Sequence, residues 1–117
     1  MPNQSKSFDR PEERRDFDNG HVYLVQIAGN NVGRIHLEPG WRWSEAVKPI
    51  ANTDSCEVAH VGYAISGKLH VVMDDGTELD ISGGEAYEIA PGHDAWVEGG
   101  QPYEAVEFES LAEYAKG

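Results

Sequence analysis

The sequence is poor in positive charge. It holds 9 Lys+Arg against 21 Asp+Glu in 117 residues, a formal net charge of -12. A surface this acidic repels phosphate backbones and anionic lipid headgroups, so binding to nucleic acid or to a membrane surface is disfavoured. Cysteine is nearly missing: Cys56 stands alone. That excludes an internal disulfide and suits a reducing cytoplasm. No apolar run is long enough to span a bilayer. Residues 1–18 contain no apolar stretch of the kind a signal peptide needs. The 3 Trp, 5 Tyr and 3 Phe supply bulk for one core, and the length agrees with one domain.

The acid excess lies in the body of the chain. Residues 1–18 nearly balance, with 4 basic and 5 acidic side chains, which leaves 5 basic and 16 acidic residues in 19–117. Polar, charged and interrupted by Pro2 and Pro11, the first segment reads as a flexible arm or as an edge segment ordered by a neighbour. Residues 19–117 read as the folded domain.

What the body has in quantity is strand and turn. Residues 22–27 are β-branched and aromatic, Gly29-Asn30-Asn31 is a turn, and residues 32–37 form a second strand. Residues 41–54 carry two Trp, a Pro and little alternation, and read as a long loop with short extended pieces. Strand signals return over 57–66, 68–73, 77–81, 86–89, 95–97 and 103–108. Asp74-Asp75-Gly76 is a hairpin turn between two of them. Ser110-Leu111-Ala112-Glu113 has the pattern of a capping box that opens a short C-terminal helix. Many short strands with Gly-rich turns predict an all-β sandwich or barrel, and a jelly roll fits the size.

Two stretches resemble the motifs of the cupin family. Residues 83–92, Gly-Gly-Glu-Ala-Tyr-Glu-Ile-Ala-Pro-Gly, are similar to the second motif, in which a metal-binding His follows the Pro-Gly. Residues 60–67, His-Val-Gly-Tyr-Ala-Ile-Ser-Gly, are similar to the end of the first motif, with His60 where cupins place a Glu. The resemblance spans roughly residues 32–108. It implies a jelly-roll double-stranded β-helix and, in many cupins, one divalent metal held by three His and one Glu. This chain departs from that set. No His-x-His pair precedes His60, and the last His position falls on Ala95, with His93 two residues earlier.

Strand alternation puts Val58, His60, Gly62 and Ala64 on one face and Val61, Tyr63 and Ile65 on the other. If His60 points inward as the cupin Glu would, Gly62 and Ala64 leave space beside it for a small organic ligand. The apolar outer face then needs a cover, which the resemblance implies is a second copy in a homodimer. His60, His93 and Cys56 are the metal candidates, a donor set suited to Zn, Fe, Ni or Cu. Glu45 or Asp54 could add a carboxylate. The alternative is a hydrogen-bonded core His60, a small buried Cys56 and a turn residue at His93.

Trp41 and Trp43 either wall the barrel mouth or plug the core, and Trp96 reads as core. Arg42 and Lys48 are scarce cations in the irregular loop, placed to grip a carboxylate or to pair with a body acid. Asp94 could orient His93. His36 and His70 read as outer-face or mouth residues, and His21 as exposed. The resulting expectation is a barrel that binds a divalent metal, a small organic molecule or both. It would act as an oxygenase, isomerase or lyase, or else as a non-catalytic binding or sensing module.

Overall fold

The computed structural model describes residues 3–109 and residue 114. Its elements are β1 (Glu13–Phe17), β2 (Gly20–Ile27), β3 (Asn30–Leu37), α1 (Trp43–Ala46), α2 (Lys48–Ala51), β4 (His60–Ser66), β5 (Lys68–Met73), β6 (Glu78–Ser82), β7 (Ala86–Ile89), β8 (His93–Val97) and β9 (Tyr103–Phe108). They form a six-stranded sheet in the order β1-β2-β3-β9-β4-β7 and a three-stranded sheet in the order β6-β5-β8. All pairings are antiparallel. The chain crosses repeatedly between the sheets, which is the jelly-roll double-stranded β-helix expected.

Alternation decides which side chains fill the barrel. Val22 and Leu24 of β2, Ile35 and Leu37 of β3, Leu69 and Val71 of β5, and Ala95 and Val97 of β8 are buried. Their neighbours along each strand face outward, as period-2 patterning requires. Sharp reversals connect the strands. At Gly67 the backbone adopts φ +83°, and a β-carbon there would lie 2.3 Å from the Pro102 carbonyl oxygen, so only glycine is accommodated. In the hairpin turn, Asp75 Oδ1 accepts from the Thr77 amide at 2.9 Å and from its hydroxyl at 2.7 Å.

Several expectations need correction. The segment read as a loop with extended pieces contains the two short helices α1 and α2. Trp43, Ala46 and Val47 are buried at helical rather than strand spacing. Pro49 sits in the first turn of α2 and Asn52 closes it at φ 59°, both suited to those positions. The segment read as a flexible arm or as an edge segment takes the second form at residues 13–17, the edge strand β1, paired to β2 from Glu13↔Leu24 to Phe17↔Gly20. Trp96 is not core: it faces outward from β8 beneath Arg42 and beside His70. The capping-box helix at residues 110–113 lies outside the described residues.

Val61, Tyr63 and Ile65 do lie on the outer face, 50%, 47% and 41% exposed. Across the sheet Tyr63 pairs with Val106, and Val32 pairs with the exposed Phe108. Among the described residues no helix is long and apolar enough to cross a membrane.

Gly62 has a structural duty of its own. A β-carbon there would meet the Val106 carbonyl oxygen at 2.5 Å, Glu107 Cγ at 2.8 Å and the Tyr87 hydroxyl at 2.9 Å. Gly62→Ala is expected to lower stability by about 1–3 kcal/mol, the usual range for overpacking a filled interior, read as a lower urea midpoint. An unchanged midpoint would contradict this packing.

Candidate functional site

Four strands, β4, β7, β8 and β9, and the segment before β4 bring the site together. Residue 56 lies in the segment before β4, where its amide donates to the His93 carbonyl at 2.8 Å and its carbonyl accepts from the Gly92 amide at 2.7 Å. This clamps Cys56 against the first residue of β8. His60 opens β4 on the inner face. Cys56, His60 and His93 are 2%, 4% and 3% exposed. One donor atom from each lies within 4.8 Å of the others.

Hydrogen bonds orient both imidazoles. His60 Nδ1 lies 2.6 Å from Glu107 Oε1, and its Nε2 lies 3.6 Å from Cys56 Sγ. His93 Nδ1 lies 2.8 Å from the Ala90 carbonyl, which can only accept, so Nδ1 carries the proton. Its Nε2 is then left with a lone pair. Glu107 is itself held, since the Tyr87 hydroxyl donates to its second oxygen. The register explains the reach: Gly62 of β4 pairs with Tyr87 of β7 on one side and with Glu107 of β9 on the other. With no side chain at Gly62, the flanking residues meet across β4.

Burial and charge act against each other here. Burial opposes a charged His60, but the Glu107 carboxylate and the Cys56 sulfur outweigh it and push its pKa up to about 10. Burial likewise raises the Cys56 thiol, yet the hydrogen bond with His60, and the His93 ring beside it, prevail and bring it down to about 7. Burial, and then the Glu107 charge, hold the Tyr87 phenol well above its ordinary value. Cysteine, imidazole and carboxylate thus form one coupled chain, with thiolate and imidazolium facing each other.

Beside this chain lies a cavity of about 30 Å³, lined by Trp41, Trp43, His60, His93, Tyr103 and Tyr114 among others. That is room for one or two water-sized groups. Trp41 and Trp43 therefore wall a small space within the core. Ala64 is fully buried on the same sheet face, and the space Gly62 vacates is taken by Tyr87 and Glu107 rather than left for a ligand.

The loop cations are elsewhere. Arg42 stacks over Trp96 at 4.1 Å and lies 3.7 Å from Asp94. Lys48 lies 3.9 Å from Asp54 along a separate surface depression. Asp94 does not orient His93; it accepts from the Ser44 amide at 3.1 Å. Glu45 and Asp54 are exposed, and the carboxylate at the site is Glu107. Glu107 shares a strand face with Tyr103 and Ala105, so period-2 counting along residues 103–108 would have found it. Tyr87 follows from the same count with Ile89. Tyr114, whose ring lies 5.5 Å from that of His60, carries no such local signal.

No protein-family model and no curated protein matches the chain. Solved structures do. An uncharacterized conserved protein with a double-stranded β-helix domain from Klebsiella pneumoniae superposes with a TM-score of 0.57 at 18% identity, covering 97% of this chain and 94% of that one. The Clostridium difficile EutQ protein gives 0.54 at 17% identity over 86% of this chain and 78% of its own. Lactobacillus farciminis oxalate decarboxylase in its formate complex gives 0.60 at 17% identity over 94% of this chain, which spans 34% of that larger protein. These likenesses show the fold, the cupin-type double-stranded β-helix.

The coupled chain has a pH signature in metal-free protein. The Cys56 pKa is lowered from 9.0 to about 7, so its contribution to stability is present above pH 9 and is lost as pH falls through 7. The His60 pKa is raised from 6.5 to about 10, so its contribution is full below pH 6.5 and is lost as pH rises through 10. Between pH 7 and 9 the two slopes oppose one another; above 9 only the His60 slope remains. Ultraviolet thiolate absorbance is expected to titrate near pH 7, and the melting temperature to fall as pH rises from 9 through 10. Glu107→Gln should raise the thiol pKa and shrink that fall. Ionisation of Cys56 near pH 9 in the wild type would contradict the coupling.

Proposed function

We propose that the protein holds one divalent transition-metal ion inside its barrel through Cys56 Sγ, His60 Nε2 and His93 Nε2. The observation that carries this reading is the convergence of the three donors while both Nδ1 atoms are engaged elsewhere. Glu107 behind His60 and the Ala90 carbonyl behind His93 are the outer partners that metal-binding imidazoles use to fix ring orientation and donor basicity. Two imidazoles and a thiolate suit Zn, Fe, Ni or Cu.

Such an ion, when bound, supplies Lewis acidity and lowers the pKa of a coordinated water. The chain's own residues do the rest. Glu107 keeps His60 facing Cys56, Tyr87 keeps Glu107 in place, and the aromatic wall limits water. The smallness of the cavity favours a centre working on a small ligand over an organic-molecule binder, and argues against the metal-free sensing alternative. An isomerase, lyase or oxygenase acting on a bulkier substrate would need the wall around Trp41 and Trp43 to open. A free buried thiol keeps its donor capacity in a reducing compartment, which supports a cytoplasmic setting.

The outer face supports a second element of the reading, a homodimer. Val61, Tyr63, Ile65 and Phe108 form exposed apolar surface on a chain of net charge -12. An isologous contact through this face would cover these side chains.

Elemental analysis of protein purified without chelator is expected to give one transition metal per chain. Cys56→Ala, His60→Ala and His93→Ala should each abolish stoichiometric binding, and Tyr87→Phe should weaken it by roughly 10–100-fold, as loss of outer support does elsewhere. Wild-type protein that takes up no metal from a divalent-ion titration would overturn the reading. Light scattering should give twice the chain mass, and Tyr63→Lys should halve it with metal content unchanged.

A further inference from the structure

The bonds around the proposed centre account for its buried polar atoms with two exceptions. Among the described residues, the Trp41 indole nitrogen and the Tyr103 hydroxyl are buried without hydrogen-bond geometry to any partner, although the Tyr87 hydroxyl, which donates to Glu107, stands beside that of Tyr103. Both residues line the cavity that His60 and His93 also line, and they are 3% and 1% exposed. Buried polar groups are almost always paired, so an orphaned pair on one small cavity calls for an occupant.

The chemistry of the cavity narrows that occupant. An indole N–H can only donate, and a phenol can donate, so the occupant is an acceptor. Much of the remaining lining is apolar, including Ile35, Leu37, Leu69 and Ala95. Among the described residues no Lys or Arg lines the cavity, so none of them grips a bulky carboxylate in bidentate fashion. At about 30 Å³ the cavity excludes most organic molecules. His60 and His93 line the cavity, so an ion held by them would border it and favour an anionic acceptor over a neutral one.

We propose that this cavity is a subsite for a small inorganic anion of two or three heavy atoms, the size class of cyanide, azide and hydroperoxide, held by the Trp41 indole N–H and the Tyr103 hydroxyl next to Cys56, His60 and His93. The inference rests on the metal reading for its fullest form, since a metal ion supplies a coordination position to the same anion. The hydrogen-bond donors belong to the fold and are present without the metal. The simplest rival occupant is water.

Azide is the probe. The full chain, labelled with nitrogen-15, is titrated with azide in zinc-loaded and in metal-free form, and the three Trp indole N–H resonances are followed after assignment by Phe substitution. Saturable movement of the Trp41 resonance is expected, with little change at Trp96 on the outer surface. Tyr103→Phe should weaken azide about tenfold while zinc content stays the same. It should melt no lower than wild type, because it deletes an unpaired hydroxyl. Acetate and oxalate, being larger, should leave Trp41 unmoved.

If Trp41 is still in both forms, the cavity is a water site only and the subsite is overturned. Equal azide affinity in wild type and Tyr103→Phe overturns it as well, and so does an equal response to oxalate. Zinc content measured on the same samples tests the metal reading separately. Azide binding at Trp41 without zinc uptake would keep the subsite and reject the metal centre.

Discussion

The constraint on which the site depends is a carboxylate in the wrong place. Glu107 is 4% exposed in the interior of a small β-barrel, where an unmatched charge would cost several kcal/mol. Its two oxygens are met by His60 and by Tyr87. His60 comes from the adjacent strand β4 and Tyr87 from β7 beyond it, and Tyr87 reaches Glu107 because Gly62 between them has no side chain. Strand order β9-β4-β7, the glycine and the acid therefore form one unit. Once Glu107 holds His60 Nδ1, the ring has no freedom left: Nε2 must face Cys56. The placement of sulfur and nitrogen at the site follows from satisfying one buried charge.

The same reasoning separates the site from the acidic exterior. The body of the chain carries a large acid excess, yet among the described residues the cavity wall is aromatic and aliphatic apart from the two histidines, Glu107 and the polar ends of Trp41 and Tyr103. The loop cations Arg42 and Lys48 answer exposed acids on the surface instead. Surface pairs of that kind contribute little to stability. They serve to lower repulsion on a crowded negative surface, and the interior is governed by three paired polar groups and by packing.

Much of the fold was readable because β structure writes its own period. Alternation along residues 60–65 assigned inner and outer faces correctly, and His60, Cys56 and His93 converge as their spacing allowed. What was missed has two physical origins. Glu107 and Tyr87 are long-range partners of His60, and their meaning depends on which strands lie side by side, which alternation alone does not tell. Trp43, Ala46 and Val47 were misread because a helix of four residues gives barely one turn of periodicity, too little to compete with the surrounding strand signals. Trp96 went the other way: bulk suggested core, but its strand neighbours Ala95 and Val97 occupy the inward positions, leaving the outer face for Trp96.

The departure from the cupin ligand pattern is also a conservation of charge. In the pattern the chain resembles, a Glu ligates from the place that His60 occupies, and the other donors are neutral imidazoles. Here the buried carboxylate, Glu107, lies behind His60, and a metal ion at the proposed centre would take its anionic donor from Cys56. Both arrangements present one negative charge to an ion, but they differ in hardness. A thiolate shifts preference away from hard, oxygen-loving ions such as Mg²⁺ and toward Zn²⁺, Cu⁺ or Fe²⁺. The displaced carboxylate becomes a lever on the imidazole, since hydrogen bonding at Nδ1 raises the basicity of Nε2. His60 and Glu107 on β9 therefore act as one unit in this interior. A His60 without Glu107 would lose its orientation, and a Glu107 without His60 would be a buried charge that had lost its imidazole partner.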